Sequence, residues 1–179
     1  MKNEAGADGQ TFEYFGLTLR VPPTVQPITG MSDLLGQAVL NETKPTDLVL
    51  DMGTGCGVNA ILAATLGARV VAVDINADAV TAALGNGSEN GVADRVDTRV
   101  SDVFSAVPES FDLIAFDPPF RWFPARDALE AGITDENYRA LTEFLQRRSK
   151  GRHQLRSKLR RVLQQVFVGR RLVSGCGVA

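Results

Sequence analysis

Thirteen residues constrain this chain more than any others: Leu48-Val49-Leu50-Asp51-Met52-Gly53-Thr54-Gly55-Cys56-Gly57-Val58-Asn59-Ala60. The apolar run Leu48–Leu50 suits a parallel strand covered on both faces. Three alternate glycines then allow positive φ and a close approach of a ligand to the backbone. Val58, Ile61, Leu62, Thr65 and Leu66 repeat at helical spacing. The stretch therefore predicts a buried strand, a tight turn and a helix whose N-terminal N–H groups face whatever sits above the turn. The alternative is a strand–helix turn with no ligand.

The same pattern recurs downstream. Arg69-Val70-Val71-Ala72-Val73-Asp74-Ile75 predicts a second buried strand ending in an acid, 19 residues after Gly55. A carboxylate at that tip can accept both hydroxyls of an adenosine ribose. It can equally cap the next helix, although Asn76 offers a cap of its own. Ala77–Gly91 reads as that helix, weakened by Gly85 and Gly87, with a break or fraying expected near Leu84. Arg95–Val103 reads as a third strand ending in Ser101-Asp102-Val103-Phe104, where Asp102 is an adenine contact or a plain loop acid. Phe111–Phe116 reads as a fourth, stopped by Asp117-Pro118-Pro119-Phe120, because proline cannot continue a central strand. Before the glycine turn, Thr11–Val21 alternates as a strand or hairpin. Pro22, Pro23 and Pro27 then hold the chain extended, and Ser32 caps a helix carrying Leu34, Leu35, Ala38, Val39 and Leu40.

The dinucleotide fingerprint would need glycine at position 58, where Val58 stands. The run D-x-G-x-G-x-G instead resembles motif I of the S-adenosylmethionine (SAM)-dependent methyltransferases of the Rossmann-like class. The resemblance implies an α/β, doubly wound Rossmann-like sheet with S-adenosyl-L-methionine as cofactor. It implies cofactor contacts from Asp51, Gly53, Thr54, Gly55, Gly57, Asp74, Ile75, Asp102 and Val103, with Asp102 accepting the adenine amino group. Ile28–Leu35 also resembles, loosely, the Thr-Glu-x-Leu entry of the release-factor glutamine methyltransferases, with Ser32-Asp33 in place of Thr-Glu; in such enzymes this helix covers the cofactor.

Asp117-Pro118-Pro119-Phe120 resembles the (Asn/Asp)-Pro-Pro-(Tyr/Phe) motif of small-domain methyltransferases that modify planar nitrogens. Their acceptors are exocyclic nucleobase amines and the glutamine amide of release factors. An aromatic amine or amide nitrogen is a poor nucleophile because its lone pair is delocalised. The Asp117 side chain and the Pro118 carbonyl can accept its two N–H bonds, favour the pyramidal transition state and aim the lone pair at the methyl group. Pro119 stiffens the tip, and Phe120 offers a face for a flat substrate. Aspartate rather than asparagine at 117 points to an exocyclic amine of a nucleobase in RNA or DNA. A protein glutamine amide or a small molecule is the alternative acceptor. Arg121-Trp122-Phe123-Pro124 follows, as a base platform or as a packed loop. Thr134–Asn137 then opens a helix carrying Tyr138, Leu141, Phe144 and Leu145.

The resemblance covers residues 11–145 as the methyltransferase domain, with 1–10 expected as a disordered leader and 146–179 as a basic, atypical segment. All 21 acidic residues lie at or before Glu143, whereas the ten basic residues after Phe144 have no acid among them. No fifth strand is readable there, so the sheet is expected to be incomplete. Leu155, Leu159, Val162, Leu163, Val166 and Phe167 have helical spacing with a basic opposite face. Such a segment binds RNA or an acidic surface, lies over the acidic domain, or reflects a frame change that replaced the C-terminus. A non-catalytic SAM- or RNA-binding remnant is then the other functional reading. Two cysteines, Cys56 and Cys176, and the lone His153 provide neither a disulfide framework nor a Cys/His metal set. The polar start lacks a signal peptide's apolar core and no run is long enough to span a membrane, which places the expected enzyme in the cytoplasm, without a membrane partner.

Overall fold

The computed structural model describes residues 2–6, 9–30, 32–119, 121–126, 130, 132–150 and 161–164; for 2–6, 147–150 and 161–164 it describes the backbone. Three strands come first: β1 (Lys2–Gly6), β2 (Gly9–Tyr14) and β3 (Leu17–Val21). An α/β series follows: α1 (Ser32–Glu42), β4 (Leu48–Met52), α2 (Val58–Thr65), β5 (Arg69–Asp74), α3 (Ala77–Glu89), β6 (Val96–Val100) and β7 (Leu113–Phe116). A single 3-10 turn, Glu136–Tyr138, leads into α4 (Arg139–Lys150), and β8 is Arg161–Gln164.

The glycine-turn strand β4 lies at the centre of a five-stranded parallel sheet of order β6-β5-β4-β7-β8. The chain steps outward from β4 to β5 and β6, then returns to the other side for β7 and β8. The order therefore reverses at β4, and the crevice at the carboxyl ends of the strands beside it is where such a sheet binds ligands. Side-chain alternation divides the core between the two faces. Val49, Val70, Ala72, Leu113 and Ala115 join the cluster under α1, α2 and the N-terminal hairpin. Leu50, Met52, Val71, Val73, Ile114 and Phe116 join the opposite cluster, which α4 completes with Phe144. The Phe144 ring lies 4.9 Å from Phe116 and 5.9 Å from Phe104, stacked on the latter.

Strands β2 and β3 form a hairpin whose central residues, Phe15 and Gly16, both have positive φ, as a type I′ turn requires. Its inward residues Phe12, Tyr14, Leu17, Leu19 and Val21 enter the main core. Of the first ten residues, expected as a disordered leader, Lys2–Gly6 and Gly9–Gln10 lie in strands. Lys2–Gly6 pairs antiparallel with β2, from Lys2 opposite Glu13 to Gly6 opposite Gly9. Its pairing comes from backbone groups, which a polar composition does not reveal.

Two further expectations are corrected. Helix α3 neither breaks nor frays at Leu84 but runs unbroken to Glu89. Asn86, 2% exposed, anchors its second half. The Asn86 amide accepts from Arg20 N–H at 2.9 Å and donates to the Arg20 carbonyl at 2.9 Å and the Cys56 carbonyl at 2.8 Å. These bonds offset the cost of two helical glycines, each about 1 kcal/mol. Within the helix expected across 155–167, the described residues Arg161–Gln164 instead form a fifth strand, parallel to β7 and in register from Leu113–Arg161 to Phe116–Gln164; the rest of that range lies outside the described residues. Without this strand the outer N–H and C=O groups of β7 would lack strand partners, a need that a helix cannot meet.

Candidate functional site

A cleft of about 420 Å³ opens at the carboxyl ends of β4, β5 and β7, where the topology reverses. Its floor is the glycine turn. Gly53 N–H and Thr54 N–H both donate to the Val73 carbonyl at 2.9 Å, which ties the turn to β5. Gly53 has φ +71°, and a Cβ there would meet nothing within 4 Å, so the backbone is bare towards the cleft. Gly57 serves a different need. Its φ is +90°, and a Cβ would come within 2.9 Å of Ala83 Cα and Cβ, so glycine lets α2 and α3 close together behind the turn.

Asp51 lies beneath this turn, 1% exposed, and does not line the cleft. Its Oδ2 accepts from Thr54 Oγ1 at 2.6 Å and from Ala60 N–H at 3.0 Å, joining the turn to the first turn of α2. Burial raises its pKa to about 6 against the pull of those two bonds. Thr54 and Gly57 are likewise buried behind the surface. Cys56 is buried as well, with its thiol pushed up to about 12 by desolvation, which keeps it unreactive.

Gly53, Gly55, Asp74, Ile75, Asp102 and Val103 do line the cleft. Asp74 holds its own surroundings through Oδ2, which accepts from Gly55 N–H at 2.9 Å, and Oδ1, which accepts from Asn76 N–H at 2.9 Å. Asn76, not Asp74, caps α3, accepting from Asp78 N–H at 2.9 Å. Ile75 is 61% exposed, an apolar surface beside the carboxylate. Beyond it, Ser101 Oγ accepts from Ala106 N–H at 3.0 Å and donates to the Val103 carbonyl at 3.1 Å. Val103 has φ +48°, a strained conformation for a β-branched residue.

The opposite wall belongs to β7 and the loop that leaves its tip. Asp117 and Pro119 line the cleft and Pro118 is buried behind them; Phe120 lies outside the described residues. Asp117 stands at the mouth, where the surrounding protein desolvates its carboxyl and raises its pKa above the usual range. The next residues pair with 133–137: Arg121 N–H donates to the Ile133 carbonyl at 3.3 Å, Asp135 N–H to the Arg121 carbonyl at 2.7 Å and Asn137 N–H to the Trp122 carbonyl at 2.9 Å. Asp135 then caps α4, accepting from Ala140 N–H at 2.8 Å and Leu141 N–H at 3.0 Å. The first residue of that helix, Arg139, donates from Nη2 to Asp102 Oδ1 at 2.8 Å, joining the β6 side of the cleft to the β7 side.

Two parts of this site were not visible in the sequence. Thr24, Val25 and Gln26 wall the cleft from the N-terminal side, held by Asn76 Nδ2 donating to the Thr24 carbonyl at 2.9 Å and Thr24 Oγ1 donating to Asp78 at 2.7 Å. The flanking prolines signalled an extended segment, not its destination. Arg139 carried no local signal, because its partner Asp102 is 37 residues away.

A bare glycine floor, a carboxylate at the neighbouring strand tip and an exposed isoleucine on one cleft fit an adenosine joined to an amino acid, as SAM is. Comparison with known proteins agrees. The methyltransferase small domain model matches residues 30–167. The release factor glutamine methyltransferase of Cereibacter sphaeroides is 38% identical over 108 residues, covering 60% of this chain and 38% of that protein. The tRNA1(Val) (adenine(37)-N6)-methyltransferase of Phocaeicola vulgatus is 35% identical over 99 residues, covering 54% and 41%. A T. thermophilus 16S rRNA N2 methyltransferase solved with AdoMet and guanosine has 28% identity and a TM-score of 0.55, over 64% of this chain and 33% of that one. The chain thus spans about two fifths or less of these relatives. With the glycine turn, the sheet order and the family model in agreement, the chain belongs to the methyltransferase small domain family of SAM-dependent enzymes.

Proposed function

We propose that this chain transfers a methyl group from SAM to a planar nitrogen, an exocyclic amine of a nucleobase. The observation that carries the reading is Asp117 at the tip of β7, on the same cleft as Gly53, Gly55 and Asp74. SAM supplies a methyl group on a positively charged sulfonium that leaves as a neutral thioether, so the chain needs no covalent nucleophile. Asp74 takes the ribose hydroxyls, Ile75 and Val103 flank the adenine, and Asp102 accepts its amino group, with Arg139 fixing that carboxylate. The glycine turn receives the methionine end, with Asp51, Thr54 and Gly57 shaping it from behind. Asp117 and the Pro118 carbonyl accept the two N–H bonds of the acceptor amine. As the N–C bond forms, one proton leaves the nitrogen to water.

Aspartate at 117 supports a nucleobase over an amide, and the tRNA and rRNA methyltransferases among the relatives support RNA over DNA. The likeness to a release factor glutamine methyltransferase supports a protein glutamine amide as the second reading. Labelled SAM incubated with RNA, DNA and protein fractions separates them, with label expected in RNA. Asp117→Ala should lower transfer at least 100-fold while SAM binding changes less than about threefold. Label in protein alone would select the second reading, and transfer by Asp117→Ala at the wild-type rate would end both.

A further inference from the structure

We propose that Trp122 and Phe123 form a stacking platform for a single-stranded stretch of RNA, seated on the rim of the acceptor end of the cleft. The inference rests on the nucleobase reading above and adds how the strand is held. Trp122 is 62% exposed and Phe123 37%, two large apolar rings turned to solvent within six residues of Asp117. The backbone leading into them is held by bonds to the facing segment: the Trp122 carbonyl accepts from Asn137, and Arg121 pairs with Ile133 and Asp135. Ala125, a few residues on, lines the cleft itself, so the platform adjoins the place where the acceptor must enter.

Charge identifies the occupant. The last 36 residues carry ten basic residues and no acid. The described parts of this stretch adjoin the acceptor wall: α4, which starts there at Arg139, runs on to Lys150, and Gln164 of β8 is in register with Phe116, next to Asp117. Exposed aromatic rings in a chain that also carries a strongly basic stretch suit a polyanion with exposed bases, and an unpaired strand is the form in which bases can stack on a side chain. A duplex hides both those faces and the exocyclic amine, so the platform and the reaction select the same state of the strand.

Trp122 is the sole tryptophan of the chain, so its own fluorescence reports the contact. The experiment titrates unlabelled 12-nucleotide RNA, single-stranded and duplex, and DNA of the same sequence, into the full chain saturated with S-adenosylhomocysteine. Single-stranded RNA should quench the tryptophan, with an affinity that falls steeply with salt. With dye-labelled RNA, Trp122→Ala should bind about tenfold or more weakly and Trp122→Phe within about threefold of wild type. Unchanged S-adenosylhomocysteine affinity certifies that each variant is folded. Binding without quenching, equal affinity in Trp122→Ala, or tighter binding of duplex or of DNA overturns the proposal. If Trp122→Ala keeps full affinity and the wild type still labels RNA, the platform fails while the methyl-transfer reading stands. If label enters protein alone, that reading fails first.

Discussion

A single buried carboxylate sets the shape of the glycine turn, and its chemistry gives a pH signature. Asp51 is raised by burial to about 6 from an ordinary 3.8. For a group whose folded pKa is raised, the stabilising contribution is full below about pH 4, where it is protonated in both states. It is lost as pH rises through about 6, because the folded state must then carry a desolvated charge. A shift of this size is worth on the order of 3 kcal/mol. Asparagine at this position keeps an acceptor for Thr54 Oγ1 and Ala60 N–H without the charge. Urea unfolding at about pH 4 and pH 7 should therefore show Asp51→Asn gaining on wild type by up to that amount at the higher pH, and parallel curves would refute the assignment. Asp74 gives a second test at this scale. Removing a carboxylate that takes ribose hydroxyls costs about 1.5–3 kcal/mol, so Asp74→Ala should weaken SAM binding at least tenfold by calorimetry. Equal affinities would remove Asp74 from the site. Such residues were legible in the sequence because each meets a local need: glycine for positive φ, an acid at a strand tip, proline to end a strand. Arg139 was not, since a salt bridge formed across the fold leaves no mark on its neighbours.

At the scale of elements, the N-terminal hairpin is held by side chains that imitate a strand. Asn86 on α3 and Asn90 at its C-cap, one helical turn apart, bond the backbone of Arg20 and Thr18, alternate residues of β3. Each amide accepts an N–H and donates to the carbonyl of the same residue, as a neighbouring strand would. The edge of β3 is thereby satisfied without a fourth strand. The hairpin leads directly into Thr24–Gln26, so this docking also sets the N-terminal wall of the cleft. Each amide makes a third bond, Asn86 to the Cys56 carbonyl within the glycine turn and Asn90 to the Asn86 carbonyl, and Asn86 is the fully buried one of the two. Asn86→Ala should therefore destabilise by about 2–4 kcal/mol, more than Asn90→Ala, and should weaken SAM binding as well. Chemical denaturation of both variants checks the order; an Asn86→Ala no less stable than Asn90→Ala would show that the buried bond to Cys56 contributes no more than the bond within the helix. Composition could not reveal this device, because an asparagine within a helix reads only as a weak helix former. The same limit applied to β1, whose polar residues carried no strand pattern.

Across the whole molecule, the sheet order explains both what the sequence told and what it hid. Strands β4, β5 and β7 are central and covered on both faces, so they are continuous apolar runs that composition alone betrays. Strand β8 lies on the outer side of β7 among the described residues, begins with an arginine and is four residues long. Its apolar pair Val162-Leu163 fits a helical period equally well. What decides between them is the row of unpaired groups on β7, a demand made by a strand almost fifty residues earlier. This yields a test of the five-stranded sheet. Successive N–H groups of a strand point to opposite neighbours, so the amides of Leu113–Phe116 divide between β4 and β8. In the full chain both sets should resist hydrogen exchange, approaching the protection of Val49–Asp51. In a chain ending at Lys150, the set facing β8 should lose at least tenfold of its protection while the set facing β4 retains most of it. Because Asp117 follows Phe116 directly, that loosening should lower methyl transfer more than SAM binding, whose proposed contacts lie on β4, β5 and the β6 tip. Exchange that does not differ between the two chains would mean that β8 contributes no pairing, and that the acceptor end of the cleft is held by α4 and the Arg139–Asp102 bond instead.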